Sequence, residues 1–83
     1  MINKNILSQV FDNYGINKVM LLEYNNSYNF LISEMNKELS LDRWEYLENI
    51  LKDITKKNIN LIPYSQAKKY FNDDINLKGE VIK

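Results

Sequence analysis

Apolar residues along this chain follow two different rhythms, and the changes of rhythm mark the elements. Ile6, Leu7, Val10, Phe11 and Tyr14 fall at helical spacing and predict one amphipathic stripe. Asn3 or Asn5 is placed to cap its start. Gly15 suits the left-handed residue just past its end, with Ile16 folding back onto Phe11 as in a Schellman stop. Val19-Met20-Leu21-Leu22 is then a continuous apolar run of strand length, as a strand covered on both faces would show. Asn25-Asn26-Ser27 is turn chemistry, because asparagine tolerates positive φ. A second apolar run, Tyr28 to Ile32, follows at once, so the pair predicts an antiparallel hairpin.

The helical rhythm returns after Ser40, a natural cap, with Leu39 and Trp44 placed as a hydrophobic staple. Trp44, Leu47, Ile50, Leu51 and Ile54 predict the buried stripe of a long helix from about Leu41 to Lys57, expected to supply the largest share of the core. Glu48–Lys52 and Asp53–Lys57 are spaced as i,i+4 ion pairs, and Lys56 and Lys57 would suit the negative end of the helix dipole. Ile59 to Ile62 is a short strand closed by Pro63. Ser65 could cap a short helix from Gln66 to Phe71, and Asn72-Asp73-Asp74 would break it. Gly79 precedes a last strand, Glu80 to Ile82. The expectation is an α/β (α+β) fold in the order α-β-β-α-β-α-β: a small mixed sheet with helices packed against it. At 83 residues, without repeat or linker, positions 1–83 read as one domain.

Composition narrows the chemistry sharply. There is no cysteine and no histidine. Disulfides, thiolate or imidazole metal sites and histidine-based acid–base catalysis are therefore excluded. Eleven basic residues balance eleven acidic ones, so no net field draws the chain to nucleic acid or to an anionic membrane. No apolar run approaches the ~20 residues needed to span a bilayer, and the first fifteen lack the continuous apolar core of a secretory signal, so a cytoplasmic location is expected. Thirteen asparagines and ten lysines against one arginine suggest an AT-rich coding sequence, as in a low-GC bacterium or a phage or plasmid of one.

The order of elements resembles the minimal nucleotidyltransferase domain of the polymerase-β-like superfamily. Asn5 to Leu22, with Tyr14-Gly15-Ile16 at the helix stop, matches its opening helix and strand. Ser27-Tyr28-Asn29-Phe30-Leu31-Ile32 falls where the family has its Asp-x-Asp strand. Ile59-Asn60-Leu61-Ile62-Pro63 falls where its third acid belongs, and Gly79-Glu80-Val81-Ile82 matches its closing strand. The resemblance implies a magnesium site and a nucleotide cleft, but the ligand positions here read Ser27, Asn29 and Asn60. A carboxamide keeps the shape of a carboxylate and loses its charge, so a divalent cation loses its ligands. The family's Gly-Ser turn and phosphate-binding helix are also missing, since Glu23-Tyr24-Asn25-Asn26 leads straight into the second strand. What the resemblance implies is a pseudoenzyme with no catalytic residue, no metal and no cofactor. An unrelated small α/β domain would give much the same pattern, and asparagine is common throughout this chain.

Other features admit other readings. Glu23, Glu34, Glu38 and the pair Asp73-Asp74 could be relocated acids of a divergent nucleotide-binding enzyme, but nothing in their spacing distinguishes them from solvated loop residues. Lys68-Lys69-Tyr70-Phe71 mixes bases with aromatics as nucleic-acid patches do. On a short helix, Ala67 and Phe71 would face the core and the lysines water, so nucleic-acid binding is not the expected function. Tyr24, Asn25, Asn26, Tyr28 and Tyr64 are the candidate partner-binding residues, with Arg43 as a further anchor, because tyrosine buries much area at small entropic cost. The expected activity is non-catalytic protein binding. The partner would be an all-helical toxin of the HEPN class, as for intact members of the family, or a host defence protein inhibited by a mobile-element product. A homodimer through a sheet edge such as Glu80 to Ile82 is a further reading.

Overall fold

A computed structural model describes residues 3–24, 26–67, 69 and 79–83 of the chain. Helix α1 spans Lys4–Asn13, and Asn3 is its cap: the Asn3 side-chain oxygen accepts from the backbone N–H groups of Asn5 and Ile6. The helix ends as expected at Gly15, with φ 71°. It tightens through two i→i−3 bonds, Tyr14 N–H to Phe11 O and Gly15 N–H to Asp12 O, each 3.0 Å. Leu7 and Phe11 are buried, whereas Ile6 stays 45% exposed at the edge of the stripe.

Strands β1 (Ile16–Tyr24) and β2 (Ser27–Met35) form the expected hairpin, each longer than its apolar run. Tyr24 pairs with Ser27 across a two-residue loop, and Asn26 takes the positive φ, 60°, that this chemistry favours. Irregular register between Ile16 and Val19 lets both of these side chains reach the same core. Helix α2 (Leu41–Thr55) then carries the chain over to β3 (Asn58–Pro63), which lies parallel to β2. Strand β4 (Glu80–Val81) lies antiparallel to β1 on the far side, giving the order β3-β2-β1-β4. Gly79 is required there by space. A Cβ at this position would lie 2.3 Å from the Leu21 carbonyl oxygen.

The two faces of the sheet carry two cores. Val19, Leu21, Phe30, Ile32 and Ile59 meet Leu7 and Phe11 of α1 and Leu47 and Leu51 of α2 on the helix side, where the Phe11 and Phe30 rings meet edge to face at 5.3 Å. On the opposite face Leu31 and Ile62 bury against Ala67, with Met20 and Leu22 half-buried beside them. Ile82 enters the helix-side core, its N–H bonded to Val19 O at 3.0 Å.

Several expectations need correction. Helix α2 buries only Leu47 and Leu51 fully; Trp44 is half-buried, and Ile50 and Ile54 are 37% and 39% exposed. The strands, not α2, supply most of the core. Ser40 caps α2 as foreseen, and Glu48 and Lys52 pair at 3.5 Å. The helix stops at Thr55, however, with Lys56 in the left-handed conformation (φ 59°). Lys56 and Lys57 therefore lie past the last turn, and Asp53 and Lys57 do not face one another along it. After β3 comes a 3-10 turn, Tyr64–Gln66, that leads into the helical residues Ala67 and Lys69 of the expected short helix; Ser65 lies inside the turn rather than at the cap, and Pro63 at the cap makes no side-chain bond. Ala67 is buried and Lys69 exposed as expected. Lys68 and the rest of the expected helix to Phe71, together with the Asn72-Asp73-Asp74 break, lie outside the described residues.

This burial predicts a contrast within α2. Leu51→Ala, at a position with no exposure, should cost ~2–5 kcal/mol in urea melts, while Ile54→Ala should cost less than about 1 kcal/mol. Equal losses would show that the helix is seated differently.

Candidate functional site

The three positions that the resemblance assigns to metal ligands do come together. Asn29 lies between Tyr28 and Phe30 on β2, so its side chain points to the face away from the helices. The parallel register sets Asn60 of β3 directly beside it, and Ser27 lies two residues back on the same face. Asn29 is 1% exposed and is the one buried polar residue among those described.

The bonding of Asn29 is directed into the sheet. Its Nδ2 donates to Leu22 O at 3.0 Å and to Ser27 O at 3.4 Å, and its Oδ1 accepts from Asn60 Nδ2 at 2.9 Å. Both halves of the carboxamide are used, one as donor and one as acceptor. A carboxylate could satisfy only the Asn60 side and would set a negative oxygen against the Leu22 carbonyl. The arrangement is chemically a latch between β1, β2 and β3. It joins the hairpin to the parallel strand at the level of the β1–β2 turn.

The five candidate contact residues are not one patch. Tyr24 is 41% exposed and pairs with Ser27 on the Asn29 face, whereas Tyr28 pairs with Glu23 and packs against the helix-side core. Asn26 is exposed at the turn, and Asn25 lies outside the described residues. Tyr64 is 42% exposed, but it follows Pro63, which pairs with Ile32, five residues along β2 from Ser27. At ~3.3 Å per strand residue that separates Tyr64 from the turn by roughly 15–20 Å. Arg43 also stands elsewhere, its guanidinium 4.9 Å above the Tyr14 ring. What the hairpin end presents is Tyr24, Asn26 and Ser27.

The alternative acids among the described residues do not converge. Glu34 lies 3.8 Å from Lys18, Glu23 and Glu38 are exposed, and Asp73 and Asp74 lie outside the described residues. Among the described residues no three of Asp, Glu, His or Cys are grouped to hold a metal ion. A feature that the apolar pattern does not bring out is a groove of about 440 Å³ between α2 and β3, lined by Leu41, Trp44, Glu48 and the strand. Its signal in the sequence is the i, i+3, i+7 spacing of those three helix residues, a second flank beside the buried Leu47 and Leu51.

No family model, curated protein or solved structure matches the chain. Among the described residues no helix is long and apolar enough to cross a membrane.

The latch makes a pH-dependent prediction. Asn29→Asp should destabilise the fold by about 3 kcal/mol at neutral pH, since an ionised carboxyl loses its donor role inside the sheet. Burial would raise the pKa of that carboxyl in the folded state above its unfolded value near 3.9. The unfolded chain then releases the proton first, so the penalty grows as pH rises above about 4 and shrinks below it. Denaturant melts of the variant from pH 3.5 to 7, each referred to the parent, measure this slope. A penalty independent of pH would show that the position is not buried in this way.

Proposed function

We propose that this chain is a non-catalytic protein-interaction module, a pseudo-nucleotidyltransferase that acts as an antitoxin-like or inhibitor protein by binding a partner protein. The observation that carries this reading is the Asn29–Asn60 latch. Two positions that a nucleotidyltransferase would use to hold magnesium are adjacent, uncharged and bonded to each other at 2.9 Å. Adjacency supports the alignment on which the resemblance rests, and the closed bonding supports loss of the chemistry. A cation there would meet no formal charge, and the Asn29 oxygen is already bonded to the Asn60 amide inside the sheet.

Binding then falls to the surface around the former cleft, and the hairpin end is the part that faces outward. Tyr24 brings an aromatic ring that is partly exposed at the strand end, and Asn26 and Ser27 bring amide and hydroxyl groups beside it. An anchor of this type suits the helical surface of a HEPN-class toxin, and equally that of a host defence protein in the mobile-element version of the same reading. The product of the neighbouring gene distinguishes these two partners.

Titration calorimetry with magnesium and ATP should give no binding tighter than ~100 μM, or about −5.5 kcal/mol. A tighter constant would overturn the pseudoenzyme reading. Co-purification with the product of the adjacent gene should be lost on Tyr24→Ala, while circular dichroism and the melting midpoint stay at parental values. Retention of the partner by that variant would remove the hairpin end from the interface.

A further inference from the structure

A different surface carries a second inference, independent of whether the hairpin end binds anything. Strand β3 is at one edge of the sheet, and no described strand pairs with its outer side. Natural edges are usually guarded by charge, by bulges or by brevity. The other edge, β4, is two residues long. β3 is six residues long, Asn58-Ile59-Asn60-Leu61-Ile62-Pro63, and carries no charge at all. The groove along it is apolar at its open side: Leu41 is 86% exposed, and Trp44 and Leu61 are only half-buried.

We infer that this edge is the dimer interface of the protein, with β3 of two copies paired antiparallel about a two-fold axis to join their sheets. The strand is compatible with itself in that register. With Asn60 facing Asn60, Ile59 of one copy lies beside Leu61 of the other, and both residues belong to the helix-side face. On the face away from the helices the same register sets Asn58 of each copy opposite Ile62 of the other.

The charges of α2 select a second copy over an unrelated strand. Leu41 and Glu48 of α2 line the β3 groove, and helical spacing puts Glu45 and Lys52 on the same stripe, Glu45 before the mid-helix Glu48 and Lys52 after it, where it pairs with Glu48 at 3.5 Å. Helix α2 joins two parallel strands, so it runs antiparallel to both. A two-fold axis through β3 therefore sets Glu45, in the first half of each α2, toward Lys52 in the second half of the other. The residues that break the pattern lie elsewhere: Arg43 turns over Tyr14, and Asp53 projects from the side of the helix away from the groove. A specific interface needs ~800 Å² from each partner. The six-residue strand and the flank of a fifteen-residue helix are of suitable extent. The isologous contact also satisfies the outer edge of β3 with main-chain hydrogen bonds.

Sedimentation velocity on the full chain at ~100 μM should give a species of twice 9.9 kDa. Glu45→Lys/Glu48→Lys makes the flank wholly basic and Lys52→Glu makes it wholly acidic. Each variant alone should dissociate at least ~10-fold more readily than the parent, with native circular dichroism, and an equimolar mixture should restore the dimer. A parent that stays monomeric, a charge variant that dimerises as the parent does, or a mixture that stays monomeric would each overturn the assignment. Because none of these measurements involves Tyr24 or a foreign partner, their failure leaves the hairpin-end reading where it stands.

Discussion

Strand β2 has to be satisfied on both faces at once, and the rest of the molecule is arranged around that requirement. Asn29, Phe30, Leu31 and Ile32 are four consecutive buried residues, alternating between two cores. Such a strand is stable only if each side is covered and each edge is paired. The helices cover one face, and the Ala67 turn closes on the other beside Leu31 and Ile62. β1 and β3 take the two edges. Asn29 is the point where these demands conflict, because it is polar and fully enclosed. Its carboxamide resolves the conflict by bonding outward to both neighbouring strands.

How much of this could be read from the chain depends on whether the signal was local. The hairpin was legible because Asn25-Asn26 and the runs on either side act within a few residues of one another. The caps at Asn3 and Ser40 and the left-handed Gly15 were legible for the same reason. The burial of α2 was misjudged because helical periodicity shows which flank is apolar and not how much of it finds a partner. Ile50 and Ile54 belong to the stripe and still remain more than a third exposed. The end of α2 was placed two residues late because Lys56 adopts φ 59°, a conformation that nothing in a lysine side chain announces.

The candidate site divides in the same way. That Asn29 and Asn60 would be neighbours depended on aligning two distant segments, and the parallel register brings them together. That they would bond to each other, with Leu22 O as third member, was beyond sequence reasoning because it depends on three strands simultaneously. The tyrosines show the opposite failure. Proximity to strand ends suggested one patch for Tyr24, Tyr28 and Tyr64. Side-chain alternation sends Tyr24 and Tyr28 to opposite faces, and the parallel direction of β3 carries Tyr64 away from the turn. An antiparallel β3 would have left its end beside the turn.

The pairing of β4 with β1 has a consequence in time as well as in space. Leu21 meets Glu80 and Met20 meets Val81, partners some sixty positions apart, whereas Tyr24 and Ser27 meet across two. Closing a loop costs entropy that rises with its length, so the hairpin is the contact that can form first and the β4 seam is among the last. Until Gly79 has slid under the Leu21 carbonyl and Ile82 has reached its core position, the outer side of β1 is an open strand edge. The late step therefore exposes the folding chain to sheet-to-sheet association with other molecules. The speed with which one glycine and one isoleucine find their places limits how long that exposure lasts.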